Sequence, residues 1–168
     1  YNAIKTNPEL RIKTLPMVLG SFLHISILEP EKVDDKFIVV DARTRNTNRY
    51  KDMAQENPDK DCLLIREYDN MMACVKRVKG NSEVRELLNG VTEEPNVGEM
   101  FGINFKCKAD FFNKERGLVV DIKTTSDING FKYSCNKYFY NSQAYIYTQL
   151  FGVENFKFIA IDKNTKDI

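Results

Sequence analysis

The sequence predicts an α+β domain with a mixed central β-sheet flanked by helices, and three observations predict it. Apolar residues recur at helical spacing through the first half. They alternate or run in short apolar stretches through the second half. One more helical stretch then separates the last two of those runs. Helices, a meander of strands, a helix and a strand is the element order of an α/β or α+β domain. The 168 residues suffice for one domain with a full core. No repeat, low-complexity tract or linker divides them, so residues 1–168 are expected to form a single domain. Beginning at Tyr1 and ending in "KNTKDI", just after an apparent strand, the chain is expected to be trimmed from a longer one.

The elements follow in order. Met17, Val18, Phe22, Ile25 and Leu28 predict a helix over 15–29, with Pro30 as its stop. "KFIVVDA" (36–42) reads as a strand. "RTRNTNRYKDMAQENPD" begins as a polar loop and runs into a short helix ending before Pro58. Ile65, Met72 and Val75 predict a helix from about 65 to 79, broken at "GNS". "SEVRELLNG" suggests a short helix with Ser82 opening a capping box and Gly90 as its C-cap. "NVGEMFG", "INFKCKADFFN", "GLVVDIKTT" and "FKFIAID" read as strands, with "NKERG" (113–117) as a tight turn. "NKYFYNSQAYIYTQLFG" reads as a helix of three to four turns closed by Gly152.

Composition excludes several classes. Hydrophobic residues at 42% and charged residues at 29% are ordinary for a globular chain and rule out disorder. The formal net charge of +1 means that any basic surface must be local. The longest apolar run, "LPMVLGSFLHISIL", is too short and too polar to span a bilayer, and no signal peptide is visible. Cys62, Cys74, Cys107 and Cys135 are irregularly spaced without a C-x-x-C. No zinc or iron–sulfur site is expected, and the scattered thiols suggest a cytoplasmic protein.

The chemistry concentrates in "KCKADFFNKERGLVVDIKTT" (106–125). Strand side chains alternate, so Asp121 and Lys123 share one face while Val120 and Ile122 face the core. Asp110 precedes Asp121 by eleven positions with a tight turn between, so a hairpin can bring both carboxylates to one side. Paired carboxylates repel unless a cation lies between them, and hard oxygen ligands suit Mg²⁺ or Mn²⁺. A lysine two positions on can assist a water or stabilise charge on a phosphate, as in metal-assisted phosphodiester hydrolysis. The bland alternative is a solvated charge row with a surface Asp–Lys pair.

The arrangement D-x(10)-D-x-K, with "AD" where "PD" is usual, resembles the PD-(D/E)XK nuclease superfamily. "QAYIY" resembles the Q-x-x-x-Y element of its RecB-like branch through Gln143 and Tyr147. "GSFLHISILEPE" resembles that branch's histidine-bearing helix through Gly20 and His24. With "FIVVDARTRNT", "FKCKADFFN", "GLVVDIKTTSD" and "YNSQAYIY", the ordered set is most similar to the RecE-type exodeoxyribonucleases and their phage-encoded relatives, from about residue 16 to 162.

The resemblance implies a restriction-endonuclease-like core and an Mg²⁺-dependent exodeoxyribonuclease. Such an enzyme would hydrolyse linear double-stranded DNA from its ends, plausibly 5′→3′, for recombination. It implies metal ligation by Asp110, Asp121, the Ile122 carbonyl and His24. A glutamate joins them, for which Glu94 is preferred over Glu93 and Glu99. It further implies Lys123 as the catalytic lysine, with Gln143 and Tyr147 supporting the site and the scissile phosphate. Tyr138, Tyr140 and Tyr145 are left to pack their helix on the sheet. Arg43, Arg45 and Arg49 would contact phosphates, although a charge run is also a common solvated surface. Family relatives form ring-shaped homo-oligomers and work beside a single-strand annealing protein. Two rivals remain at this stage: a Cas4-like nuclease, which would need a cysteine cluster, and a non-catalytic DNA-binding module with the same fold.

Overall fold

The computed structural model describes residues 13–168. Helix α1 (Leu15–Leu28) carries Pro16 in its first turn, where a missing N–H costs nothing, and buries Phe22, Leu23, Ile25 and Leu28. A 3₁₀ turn (Pro30–Lys32) and the single-turn α2 (Val33–Lys36) lead straight into β1 (Phe37–Val40). Helix α3 (Asn48–Glu56) is capped by Thr47, whose hydroxyl accepts the Tyr50 N–H at 3.3 Å. Strand β2 (Asp61–Leu64) lies parallel to β1 and runs without a break into α4 (Ile65–Gly80), which buries Met71, Cys74, Val75 and Val78. The sequence reading passed over β2 because neither glycine nor proline separates it from α4. The boundary is set instead by Glu67, whose carboxylate accepts the Leu64 N–H at 3.0 Å.

Helix α5 (Ser82–Leu87) corrects two expectations. Its cap is Asn81, whose side chain accepts the Val84 N–H at 3.1 Å, not Ser82. Gly90 lies beyond the helix end, where a Cβ would come within 2.4 Å of the Phe112 carbonyl oxygen. Its role is close approach to the neighbouring strand, not capping.

The second sheet holds β3 (Val91–Met100), β4 (Ile103–Asn113), β5 (Leu118–Thr125) and β6 (Asn155–Asp162), in that spatial order. Its ladders are antiparallel, antiparallel and parallel, which makes the sheet mixed. β3 starts at Val91, earlier than expected, and tolerates Pro95 because it is the edge strand. Between β5 and β6 stand two helices where one was expected, α6 (Phe131–Lys137) and α7 (Tyr140–Phe151). They are separated at Phe139, whose φ of +54° is left-handed. Gly152 ends α7 at φ +63°. Of the tyrosines expected to pack α7 on the sheet, Tyr140 does, against Phe158, whereas Tyr138 and Tyr145 are exposed.

The core lies between α1 and α4 on one side and one face of this sheet on the other. Phe22, Leu63, Met71 and Val78 meet Phe111, Val120, Ile122 and Ile161, all buried. Each such side chain contributes about 1.5–3 kcal/mol on burial. The opposite face carries α7, through Asn96 bonded to the Leu150 carbonyl at 2.9 Å and Phe112 stacked on Phe151 at 4.7 Å.

A fork in the sheet positions the site. β4 and β5 pair only through Phe111↔Val120, Phe112↔Val119 and Asn113↔Leu118. Beyond these, β4 continues with β3 alone and β5 with β6 alone. Strand alternation also breaks here. Cys107, opposite Asn96, and Phe112 both face α7 although an odd number of steps separates them. The break coincides with Glu93 at φ +56° and with the missing Glu93–Asp110 pair in the β3/β4 ladder. The local distortion resembles a bulge in its effect, re-aiming side chains on either side of Asp110. Helix α1 crosses the mouth of the fork, where a Cβ on Gly20 would stand 4.0 Å from Thr124 Oγ1.

Candidate active site

Asp110 stands where the β4–β5 ladder ends, three residues before the turn and not at the end of its strand. Its Oδ2 accepts the Ile122 N–H at 2.7 Å, so the side chain supplies the acceptor that a neighbouring strand carbonyl would otherwise provide. The same oxygen lies 3.3 Å from His24 Nδ1 on α1. Burial acts to lower the His24 pKa, but the bond to Asp110 and the charges of Asp110 and Asp121 outweigh it and hold it above the ordinary value.

Asp121 lies on β5, only 3% exposed. Gln143 Nε2 on α7 donates to its Oδ1 at 2.6 Å. Lys123 Nζ stands 2.7 Å from Oδ2, as the period-two spacing on β5 requires. That close contact pairs the buried Oδ2 with a charged neighbour. Burial, then the negative charge of Asp110, push the Asp121 carboxyl above the usual carboxylate range, while Lys123 and His24 pull it back in part. The Lys123 ammonium rests over the Tyr140 ring at 4.9 Å and faces Phe158 at 5.9 Å. Tyr147, one helical turn beyond Gln143, packs edge-on against Phe156 at 5.8 Å. Burial raises its hydroxyl pKa, opposed by hydrogen bonds with the Gln143 side chain and the Lys108 backbone.

The structure thus brings together Asp110, Asp121, Ile122, Lys123, His24, Gln143 and Tyr147. It does not bring in Glu94, which is part of β3 and opens onto a cleft with Phe112, Lys114 and Phe151. Glu93 is the glutamate level with Asp110 in the β3/β4 register, and it is ion-paired with Lys108; Glu99 is exposed near the hairpin tip. The arginine loop also divides. Arg45 is held by Glu67 through two bonds of 2.6 and 2.7 Å, which removes it from the set free to meet a phosphate. Arg43 and Arg49 are exposed, Arg49 with only a loose 3.9 Å contact to Asp41. Tyr140, read from the sequence as packing alone, lies directly beneath the lysine. No spacing rule signals that contact, because it joins α7 to β5.

Among the described residues, no three His, Cys, Asp or Glu side chains already form a metal cage. The donor set nevertheless fits a hard divalent cation. Two carboxylates approach at the fork, and burial together with the charge of Asp110 disfavours the charged form of Asp121, a cost that a bound cation would relieve.

A family model described as "PDDEXK-like domain of unknown function (DUF3799)" matches residues 3–167. The chain belongs to this family. In this DUF3799 domain Asp110, Asp121 and Lys123, the residues of the D-x(10)-D-x-K arrangement, lie together at the fork. No curated protein matches the domain. A crystal structure from Eubacterium rectale, of a protein named "Putative exonuclease", shares its fold with a TM-score of 0.72 over 99% of this chain at 17% identity. The DUF3799 domain spans 61% of that protein's length. No helix among the described residues is long and apolar enough to cross a membrane.

Proposed function

We propose that the protein is a divalent-metal-dependent exodeoxyribonuclease that hydrolyses linear double-stranded DNA from its ends. One observation carries the reading. A buried aspartate is held between a lysine and a glutamine beside a second aspartate. A solvated surface charge row would not be buried in this way. When bound, Mg²⁺, or Mn²⁺ in its place, supplies Lewis acidity toward a phosphate and acidifies water at the site. Asp110, Asp121 and the Ile122 carbonyl would hold it, with His24 alongside.

The remaining work falls to the chain. Gln143 orients Asp121 and His24 orients Asp110. Lys123, paired with Asp121 and resting over the face of Tyr140, places a cation where negative charge grows on the phosphate. Arg43 and Arg49 offer backbone contacts that need no base readout, as suits an enzyme acting on ends of any sequence. Resemblance to the RecE-type enzymes supports the finer points: 5′→3′ digestion leaving 3′ single-stranded tails for recombination, a ring-shaped homo-oligomer, and a single-strand annealing partner.

The test is digestion of linear 5′-phosphorylated duplex and covalently closed circular duplex, with and without Mg²⁺. The expected result is Mg²⁺-dependent loss of linear DNA alone, abolished by Lys123→Ala and Asp121→Asn. Intact binding without cleavage under all conditions would reduce the protein to a DNA-binding module; cleavage of the circle would make it an endonuclease.

A further inference from the structure

The segment that crosses from β5 to β6 carries a surface that hydrolysis does not use. Tyr133, Tyr138 and Phe139 expose 68%, 56% and 71% of their area within seven positions of one another. Single exposed aromatics are commonplace, but three together on one elbow are not. Phe139 occupies the left-handed region at φ +54°, where a bulky side chain is disfavoured, and the turn there separates α6 from α7. Lysines interleave the rings: Lys132 lies over Tyr133 at 5.0 Å and Lys137 over Tyr138 at 5.4 Å. From 128 to 153 the chain carries these two lysines and no carboxylate, in a protein whose net charge is only +1.

The elbow is also continuous with the site. Tyr138 lies 5.8 Å from Tyr140, and Tyr140 lies 4.9 Å from the Lys123 ammonium. Beside them a cleft of about 480 Å³ is lined by Thr124, Ser126, Ser134, Tyr138, Tyr140 and Lys163, groups that offer hydroxyls and a cation to a phosphate. Aromatic faces among lysines, with Asp127 at the edge as the nearest acid in sequence, match the chemistry of an unpaired nucleic-acid strand, whose bases stack while its phosphates meet the ammonium groups.

We propose that Tyr133, Tyr138 and Phe139, with Lys132 and Lys137, form a stacking platform for the single-stranded end of the DNA, one ring away from Lys123. The platform rests on the nuclease reading for its setting, and stacking suits such an enzyme because every base has a π-face. Fluorescence anisotropy in EDTA, where cleavage is blocked, tests it with a labelled single-stranded oligonucleotide and the same strand carrying abasic sites. The native protein should bind the base-bearing strand at least about fivefold tighter than the abasic one. Tyr138→Ala and Phe139→Gly should each erode that ratio toward one. Both positions are exposed and glycine accepts a positive φ, so thermal unfolding should confirm that the variants remain folded. Equal binding of both strands by the native protein, or an unchanged ratio in both variants, would overturn the platform. The two readings fail separately. Base-dependent binding lost in the variants stands even if the native protein cleaves nothing, and Mg²⁺-dependent cleavage stands even if the ratio never moves.

Discussion

Asp110 is placed to do two jobs, and two substitutions separate them. Its Oδ2 accepts the buried Ile122 N–H at 2.7 Å, and its charge helps to hold the Asp121 carboxyl above the ordinary range. Asp110→Ala removes the acceptor and strands a buried N–H, which costs about 1–3 kcal/mol. Asp110→Asn keeps an oxygen for that N–H, and both substitutions remove one of two neighbouring negative charges. At an effective dielectric near 20, such a repulsion is worth about 2–3 kcal/mol over ~5–8 Å. Loss of the charged partner of His24 offsets part of that gain, leaving a net stabilisation of about 1 kcal/mol. That charge effect is common to both variants and cancels between them, so they should differ by the lost acceptor alone, about 1–3 kcal/mol, or about 2–12 °C in Tm for a domain of this size. Urea and thermal unfolding in EDTA near neutral pH read the difference without any metal contribution, and both variants should lack nuclease activity. Equal stability of the two would refute the claim that this carboxylate anchors the fork.

Other outcomes follow from the same geometry. Millimolar Mg²⁺ should raise the Tm of the native protein but not that of Asp121→Asn, since a ligand at 100 times its Kd stabilises by about 2.7 kcal/mol; an equal rise in both would place the ion elsewhere. Arg45→Ala should cost about 1–2 kcal/mol of stability, read by urea unfolding, because it breaks the paired bond to Glu67. Arg43→Ala and Arg49→Ala should leave stability alone and weaken DNA binding, each lowering the salt-dependence slope by about one. Asp162 is buried and accepts the backbone N–H groups of Ile128, Asn164 and Thr165. Burial raises its pKa, but those bonds outweigh it and the net shift is downward. Its ionised form therefore stabilises the fold above the unfolded value of about 3.9, and that contribution fades as pH falls through the lower folded value. Asp162→Ala should cost about 2–4 kcal/mol near pH 7 and progressively less below pH 4, measured by urea unfolding across pH.

Much of the site was legible in the sequence because it obeys short-range periodicities. Asp121 and Lys123 share a face by strand alternation, and Gln143 and Tyr147 by the helical turn. His24 was legible through the company it keeps in its helix, since spacing alone does not point a lone histidine at a strand 86 positions away. What was not legible depends on long-range geometry. Glu94 looked suitable while β3 was read as beginning after it; inside the strand it turns away from the fork. Arg45 looked free because Glu67, its partner, lies 22 positions on. Of the fold, β2 and α6 escaped notice for local reasons: one merges into a helix, and the other ends at a left-handed phenylalanine where glycine would be the usual signal.

The three-rung ladder between β4 and β5 has an evolutionary consequence. The Asp110–Ile122 bond acts as a fourth rung, so one side chain of the candidate site also sets strand register. A descendant released from selection for the proposed hydrolysis could discard Lys123 with modest damage to the sheet, because that lysine only pairs with Asp121 and rests on Tyr140. It could not as easily discard an oxygen acceptor at position 110. Degenerate members of such a lineage should lose the lysine first and keep Asp or Asn at the fork, so that a surviving aspartate there attests to architecture and the lysine to chemistry.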